Sequence, residues 1–303
     1  MSKIKFNAAT PLYTSDAKAW RIDQLPAVLA QLNASGKPVV LFVHGRGKEP
    51  GKSLLGGTFT EGMAVHKIER GYDVKVLMFN WDSAFHGLNL FDREVPLSHT
   101  PAGGAALGST LTALKQFEAD NPGIPRPALL VHSMGSVVVQ HALLEGHWPA
   151  ESSLFSTVLI SEPDCDDVNH ASWLELLAAR ERTFVTQNQD DFVLIRATDA
   201  RPAGAKALGL GTSEPLAPHA TYIDLTNMGA LGKKDADHEV FGKGAMNGQL
   251  YVCQFFTQAL TGKNVVLDPA VNVDSIERNV VYRLKSRFEP GAPCLKIPDL
   301  PSI

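Results

Sequence analysis

The residues best placed to do chemistry are Ser133, His238 and a group of aspartates, because each lies where an apolar run ends or between two such runs. An alcohol, an imidazole and a carboxylate in succession can move a proton: the imidazole takes it from the alcohol, and the carboxylate fixes the tautomer and stabilises the cation. In residues 127–145, PALLVHSMGSVVVQHALLE, a short apolar run at 128–131 meets Ser133 and restarts as a longer run from Ser136. The first run is too short for a helix and the second is long enough for one. A strand that becomes a helix at a serine holds that residue in a tight bend, with its hydroxyl out at the strand's carboxyl end. The first helical turn leaves N–H groups without intrahelical partners, so the Met134 N–H is available to an oxyanion. Val131 stands where the G-x-S-x-G pattern has its first glycine, and Gly135 keeps the second. The plainer alternative for such a serine is a helix N-cap.

A carboxylate partner is offered in two places. Asp190 and Asp191 end the stretch Gln187-Asn188-Gln189-Asp190-Asp191, just after a predicted strand, and Asp191 is preferred with Asp190 as a rival. Either could instead cap a helix beginning at Phe192. Glu162, Asp164, Asp166 and Asp167 cluster after the preceding strand, and Asp164 is the second rival. That cluster has a D-x-D but lacks the rest of a calcium loop, and no cysteine spacing resembles a zinc site, so neither a metal nor a cofactor is implied. His238 lies in Asp237-His238-Glu239-Val240-Phe241, after the last strand of the predicted parallel series and before its last helix, where an imidazole can reach across a crevice. The chain has ten histidines, and this position separates His238 from the other nine.

The elements needed to carry these residues follow from periodicity. Residues 38–43, PVVLFV, form a continuous apolar run ended by His44-Gly45-Arg46-Gly47, which predicts a strand covered on both faces. Further strands are expected at 3–6, 74–79, 128–131, 157–161, 184–186, 222–225 and 280–284. Helices are expected at 22–32, 61–70, 102–119, 136–145, 171–180 and 249–260. Such alternation predicts an α/β fold with a mostly parallel, doubly wound sheet flanked by helices. Catalytic partners then belong on loops at the strands' carboxyl ends. Between Ser161 and Thr183 there is room for only one helix, so little or no cap domain is expected. Phe85, Leu88, Leu90 and Phe91, in the loop at 81–100, either line a pocket or pack beneath that loop.

With no repeat and no linker, residues 1–262 are expected to form one domain, its core at about 38–262. Residues 263–303 form a C-terminal extension that packs on the surface or is partly mobile. The net charge of −4, with 44% apolar and 20% charged residues, is that of a soluble globular protein, and no basic patch points to nucleic acid. The start lacks the apolar core of a signal peptide, and no run reaches membrane-span length, so a cytoplasmic location is expected. Cys165, Cys253 and Cys294, odd in number and widely spaced, fit a reducing compartment better than a disulfide framework.

The order Ser133, Asp191, His238, together with the elbow and the His44-Gly45 turn after an early strand, resembles the α/β-hydrolase superfamily. H-S-M-G, the S-E-P-D turn, D-x-x-L after the next strand and D-H-E-V-F are similar to a poorly characterised bacterial branch. The resemblance covers roughly residues 38–262. It implies a serine hydrolase with Ser133 as nucleophile, His238 as general base then acid, and Asp191 as its orienter. By the same resemblance, the N–H groups of Arg46 and Met134 form the oxyanion hole. His44, Gly45, His132 and Phe85 are then candidates for the pocket of a small-molecule acyl substrate. A carboxylic ester hydrolase working through an acyl-enzyme is the leading expectation. Thioesterase, amidase or acyltransferase chemistry on the same triad, or a non-catalytic binding module, are the alternatives, and an oligomer is left open.

Overall fold

The computed structural model describes residues 11–16, 18–46, 64–83, 93–149, 153–198, 201–226, 228, 238–241, 248–277 and 281–287. Their strands are β1 (Leu12–Thr14), β2 (Ala19–Trp20), β3 (Val39–Val43), β4 (Lys75–Phe79), β5 (Ala128–His132), β6 (Thr157–Ser161), β7 (Thr183–Gln187), β8 (Ala220–Asp224), β9 (Val273–Glu277) and β10 (Val281–Leu284). All join one sheet in the order β2-β1-β4-β3-β5-β6-β7-β8-β10-β9. The run from β4 to β10 is parallel, while β1, β2 and β9 pair antiparallel at the edges. The chain turns from β3 to β4 on one side and then to β5 on the other. The topological switch point therefore lies between β3 and β5, where the carboxyl ends open a crevice.

The described helices are α1 (Leu25–Asn33), α2 (Ala64–Tyr72), α3 (Glu94–Ser98), α4 (Thr100–Asp120), α5 (Gly135–Leu144), α6 (His170–Ala178), α7 (Phe192–Thr198) and α8 (Leu250–Leu260). They cover both faces of the sheet, which explains why the central strands are apolar at successive positions. Val39, Leu41 and Val43 of β3 pack into one core with Leu25, Leu29, Leu107, Leu111 and Val138. Val40 and Phe42 of the same strand face a second core with Ile68, Tyr72, Phe255 and Phe256. Helix α1 shows the expected stripe, with Leu25, Val28, Leu29 and Leu32 buried and a proline in its first turn. Helices α4 and α5 approach closely because α4 presents glycines. A β-carbon on Gly104 would lie 2.8 Å from that of His141, and one on Gly108 would lie 2.5 Å from that of His147.

The expected parallel strands and helices are present with ends shifted by up to three residues. The strand expected at 3–6 lies outside the described residues. Strands β1, β2 and β9 and helix α3 had no clear periodic signal, being two to five residues long. Beyond residue 262 the sheet continues: β10 lies parallel to β8 and pairs with β9, with Val273 and Leu284 buried in the second core. The cysteines depart from the expectation of thiols alone. Cys165 is free and buried, whereas Cys253, in α8, is disulfide-bonded. No helix among the described residues is long and apolar enough to cross a membrane.

Candidate active site

Strand β5 delivers Ser133 to the crevice through a left-handed backbone bend, with φ of 53°. A non-glycine residue in that region is strained, at a cost of about 1–2 kcal/mol, and persists only where its surroundings hold it. Here the Ser133 N–H donates to Ser161 O, and the Ser133 carbonyl accepts from the Ser136 N–H, the Ser136 hydroxyl (2.7 Å) and the Asp164 N–H. The Ser136 hydroxyl also accepts from the Cys165 N–H, tying the elbow to the β6–α6 loop. Gly135 is needed for packing, because a β-carbon there would sit 2.8 Å from the carbonyl oxygens of both Val43 and His44. Val131, in the place of the first glycine of the pattern, turns its side chain into the first core, two residues before the bend.

His238 reaches Ser133 from a distant loop. Its Nε2 lies 2.9 Å from Ser133 Oγ, and its Nδ1 lies 2.7 Å from Asp191 Oδ2. A carboxylate only accepts, so Nδ1 carries the proton and Nε2 is free to accept the serine hydroxyl. Asp191 is fully buried at the carboxyl end of β7, and its other oxygen, Oδ1, accepts from the Leu194 N–H at 3.0 Å. Capping a helix and holding the histidine are therefore not alternatives: one aspartate does both, one oxygen to each.

The rival acids are placed elsewhere. The half-buried Asp190 follows Asn188, whose side-chain oxygen accepts the Asp190 N–H. Asp164 is engaged by two arginines: Arg93 Nε lies 3.3 Å from its Oδ2, and Arg201 bonds its Oδ1 and its carbonyl. Arg201 also pairs with Asp166. Neither Arg93 nor Arg201 carries a sequence signal for this role, since they lie 71 and 37 residues from Asp164.

Met134 is buried beside the elbow, and Arg46, half-buried, ends the described part of the β3 loop. No hydrogen bond to the Met134 N–H is found among the described residues. A β-carbon on Gly45 would meet that of Ser133 at 2.8 Å, so the β3 turn lies directly against Ser133. The His44 ring is turned to Asn80 and stacks on Trp81 at 5.9 Å, while the Trp81 indole N–H donates to the His44 carbonyl. His44 Nδ1, 2.6 Å from the Gly45 carbonyl, must be the donor there, which leaves Nε2 to accept. It accepts from the Trp81 N–H at 3.4 Å; Asn80 Oδ1 lies 2.8 Å away, and turning that amide over would present Nδ2, which otherwise has no partner among the described residues, as a second donor. Burial pulls the His44 pKa below its ordinary value, in keeping with a neutral ring. His132 faces the His238 loop, its Nε2 being 2.7 Å from the His238 carbonyl. Phe85 lies outside the described residues. A cavity of about 520 Å³, lined in part by Lys37, Pro38, Gly123, Arg126 and Gly262, lies at the strands' amino ends, across the sheet from this chemistry.

Among solved structures, carboxyl esterase 2 from the mycorrhizal fungus Tuber melanosporum aligns over 74% of this chain and 78% of its own, at 13% identity and a TM-score of 0.34. An esterase/lipase from an uncultured bacterium aligns over 62% and 67%, at 14% identity and a TM-score of 0.29. No curated protein matches the chain. The model of the family "Alpha/beta hydrolase of unknown function (DUF900)" matches residues 24–209, more than half of the sequence and the part that holds the elbow and Asp191, and the chain belongs to that alpha/beta hydrolase family.

Proposed function

We propose that this protein is a serine hydrolase that cleaves carboxylic esters of small molecules through an acyl-enzyme on Ser133. The observation that carries the reading is the unbroken hydrogen-bond chain from Ser133 Oγ through His238 to Asp191, whose carboxylate is shielded from water. As the Ser133 oxygen attacks the acyl carbon, its proton passes to His238 Nε2, and the buried Asp191 carboxylate stabilises the resulting imidazolium. The N–H groups of Met134 and Arg46 receive the oxyanion. His238 then protonates the leaving alcohol, the carbon–oxygen bond breaks, and Ser133 is left acylated. Water, deprotonated by His238, attacks the acyl-enzyme; the acid departs and Ser133 regains its proton.

The test combines steady-state kinetics on esters and thioesters of graded chain length with labelling by a serine-directed phosphonate. The expected result is labelling at Ser133, preferred turnover of esters, and a loss of about 10⁴-fold or more in kcat for Ser133→Ala. A Ser133→Ala protein with undiminished ester turnover would overturn the assignment. Preferred turnover of thioesters would move the substrate class and leave the residues in their roles.

A further inference from the structure

His238 is held at its ring by Asp191, but its backbone has to be fixed as well. Residues 238–241 contain only a turn and the first two residues of a helix. From α2 the Tyr72 hydroxyl donates to the Phe241 carbonyl and Lys67 pairs with Glu239, and side chains from the ends of β5 and β6 hold the part nearest His238. His132, the last residue of β5, directs Nε2 to the His238 carbonyl at 2.7 Å. A carbonyl only accepts, so that nitrogen carries the proton. The His132 ring stands 4.8 Å from the His238 ring and edge-on to Phe241 at 5.0 Å. Glu162, the residue after β6, has φ of 48° and is fully buried. One of its oxygens accepts from the Val240 N–H at 3.4 Å, and the other lies 3.9 Å from His132 Nε2.

We propose that His132 and Glu162 form a buried clamp that grips the backbone just after the His238 side chain and sets the distance of its Nε2 from Ser133. Both are positioning residues, and the role rests on the reading of His238 as the base. The β5 terminus thus serves the reaction twice: Ser133 attacks, and its neighbour His132, projecting the other way, fixes the base that activates it. The left-handed backbone at Glu162 turns a carboxylate inward at a place where a regular strand continuation would not. A displacement of the base by about 1 Å is enough to cost on the order of 100-fold in rate, so the grip is a kinetic requirement.

The experiment compares wild type with His132→Gln, which keeps a donor at the distance of Nε2, and His132→Phe, which keeps a flat ring without the donor. Two readouts are taken: amide hydrogen exchange of the segment containing residues 238–241, and kcat and KM on a simple ester. The expected result for His132→Phe is exchange at Val240 faster by about 10-fold or more, with kcat lower by about 10- to 100-fold and KM within about 3-fold. His132→Gln is expected to restore both to within about 3-fold of wild type. If His132→Phe does not fold, His132→Asn, whose shorter amide cannot reach the His238 carbonyl, carries the same expectation. The clamp is overturned if His132→Phe exchanges and turns over like wild type, or if His132→Gln fails as badly as His132→Phe at unchanged thermal stability. A wild-type protein that neither hydrolyses esters nor reacts with the phosphonate would remove the catalytic reading, and the exchange readout would still decide the clamp.

Discussion

Ser133 and Glu162 sit at the carboxyl ends of neighbouring strands, both in left-handed backbone, and each is kept there by bonds that a relaxed chain would not make. Between them His132 is deprived of water. Burial, with the His238 ring adding in the same direction, pushes the His132 pKa down from 6.5 to about 4, against the opposing pull of Glu239 and Asp191. Glu162 also faces it at 3.9 Å. A neutral His132 suits the proposed role of His238, because a cation 4.8 Å away would resist formation of the His238 imidazolium. The depressed value has a consequence for stability. Between pH 4 and pH 6.5 the unfolded chain binds a proton at this residue that the folded chain refuses, so its contribution is full above pH 6.5 and is lost as the pH falls towards 4. The expected size is about 3 kcal/mol. Urea unfolding at pH 7 and pH 4.5 checks this: His132→Gln is expected to lose less stability on acidification than wild type. Burial lowers the pKa of His44 and His170 as well, adding to the same slope in both proteins.

At the scale of elements, the question is how a carboxylate at the end of one strand meets an imidazole 47 residues further on. Helix α7 supplies the answer, because its N-terminus pins Asp191 Oδ1 at Leu194 and leaves Oδ2 facing His238. The two duties separate on substitution. Asp191→Asn keeps an oxygen for the cap but disturbs the histidine tautomer, so kcat is expected to fall by about 10⁴-fold with stability within about 1 kcal/mol of wild type. Asp191→Ala is expected to lose the cap too, at a further cost of about 1 kcal/mol. Asp164→Asn, which leaves Arg93 and Arg201 undercompensated in a buried cluster, is expected to lose about 3–5 kcal/mol of stability. Thermal unfolding and ester kinetics on the three variants check the assignment together: catalytic loss at full stability marks the acid, and lost stability marks the scaffold.

For the molecule as a whole, the sheet is a slab between two cores, and its far edge is closed by β9 and β10. Leu284 of β10 is fully buried against the second core, and β10 supplies the hydrogen-bonding neighbour of β8. Leu284→Ala is therefore expected to cost about 2–4 kcal/mol in urea unfolding. Ester turnover by the folded fraction is expected to be unchanged, because Ser133, Asp191 and His238 depend on the end of β5, the end of β7 and the loop before α8. A loss near zero would mean that the segment after residue 262 adds nothing to the fold.

The sequence by itself determined the alternation of strands and helices, the covered sheet, the elbow at Ser133 and the short set of acids and histidine able to serve it. These are local properties, written in apolar runs and their periods, and packing reinforces them. Loop paths are settled only on folding: that Asp191 rather than Asp190 or Asp164 meets His238, that Asp164 is absorbed by Arg93 and Arg201, that His132 bonds the His238 carbonyl, and that β10 completes the sheet. Such meetings join residues tens to more than a hundred positions apart. No periodicity in the chain encodes them, because only the folded backbone brings those side chains within a hydrogen bond of one another.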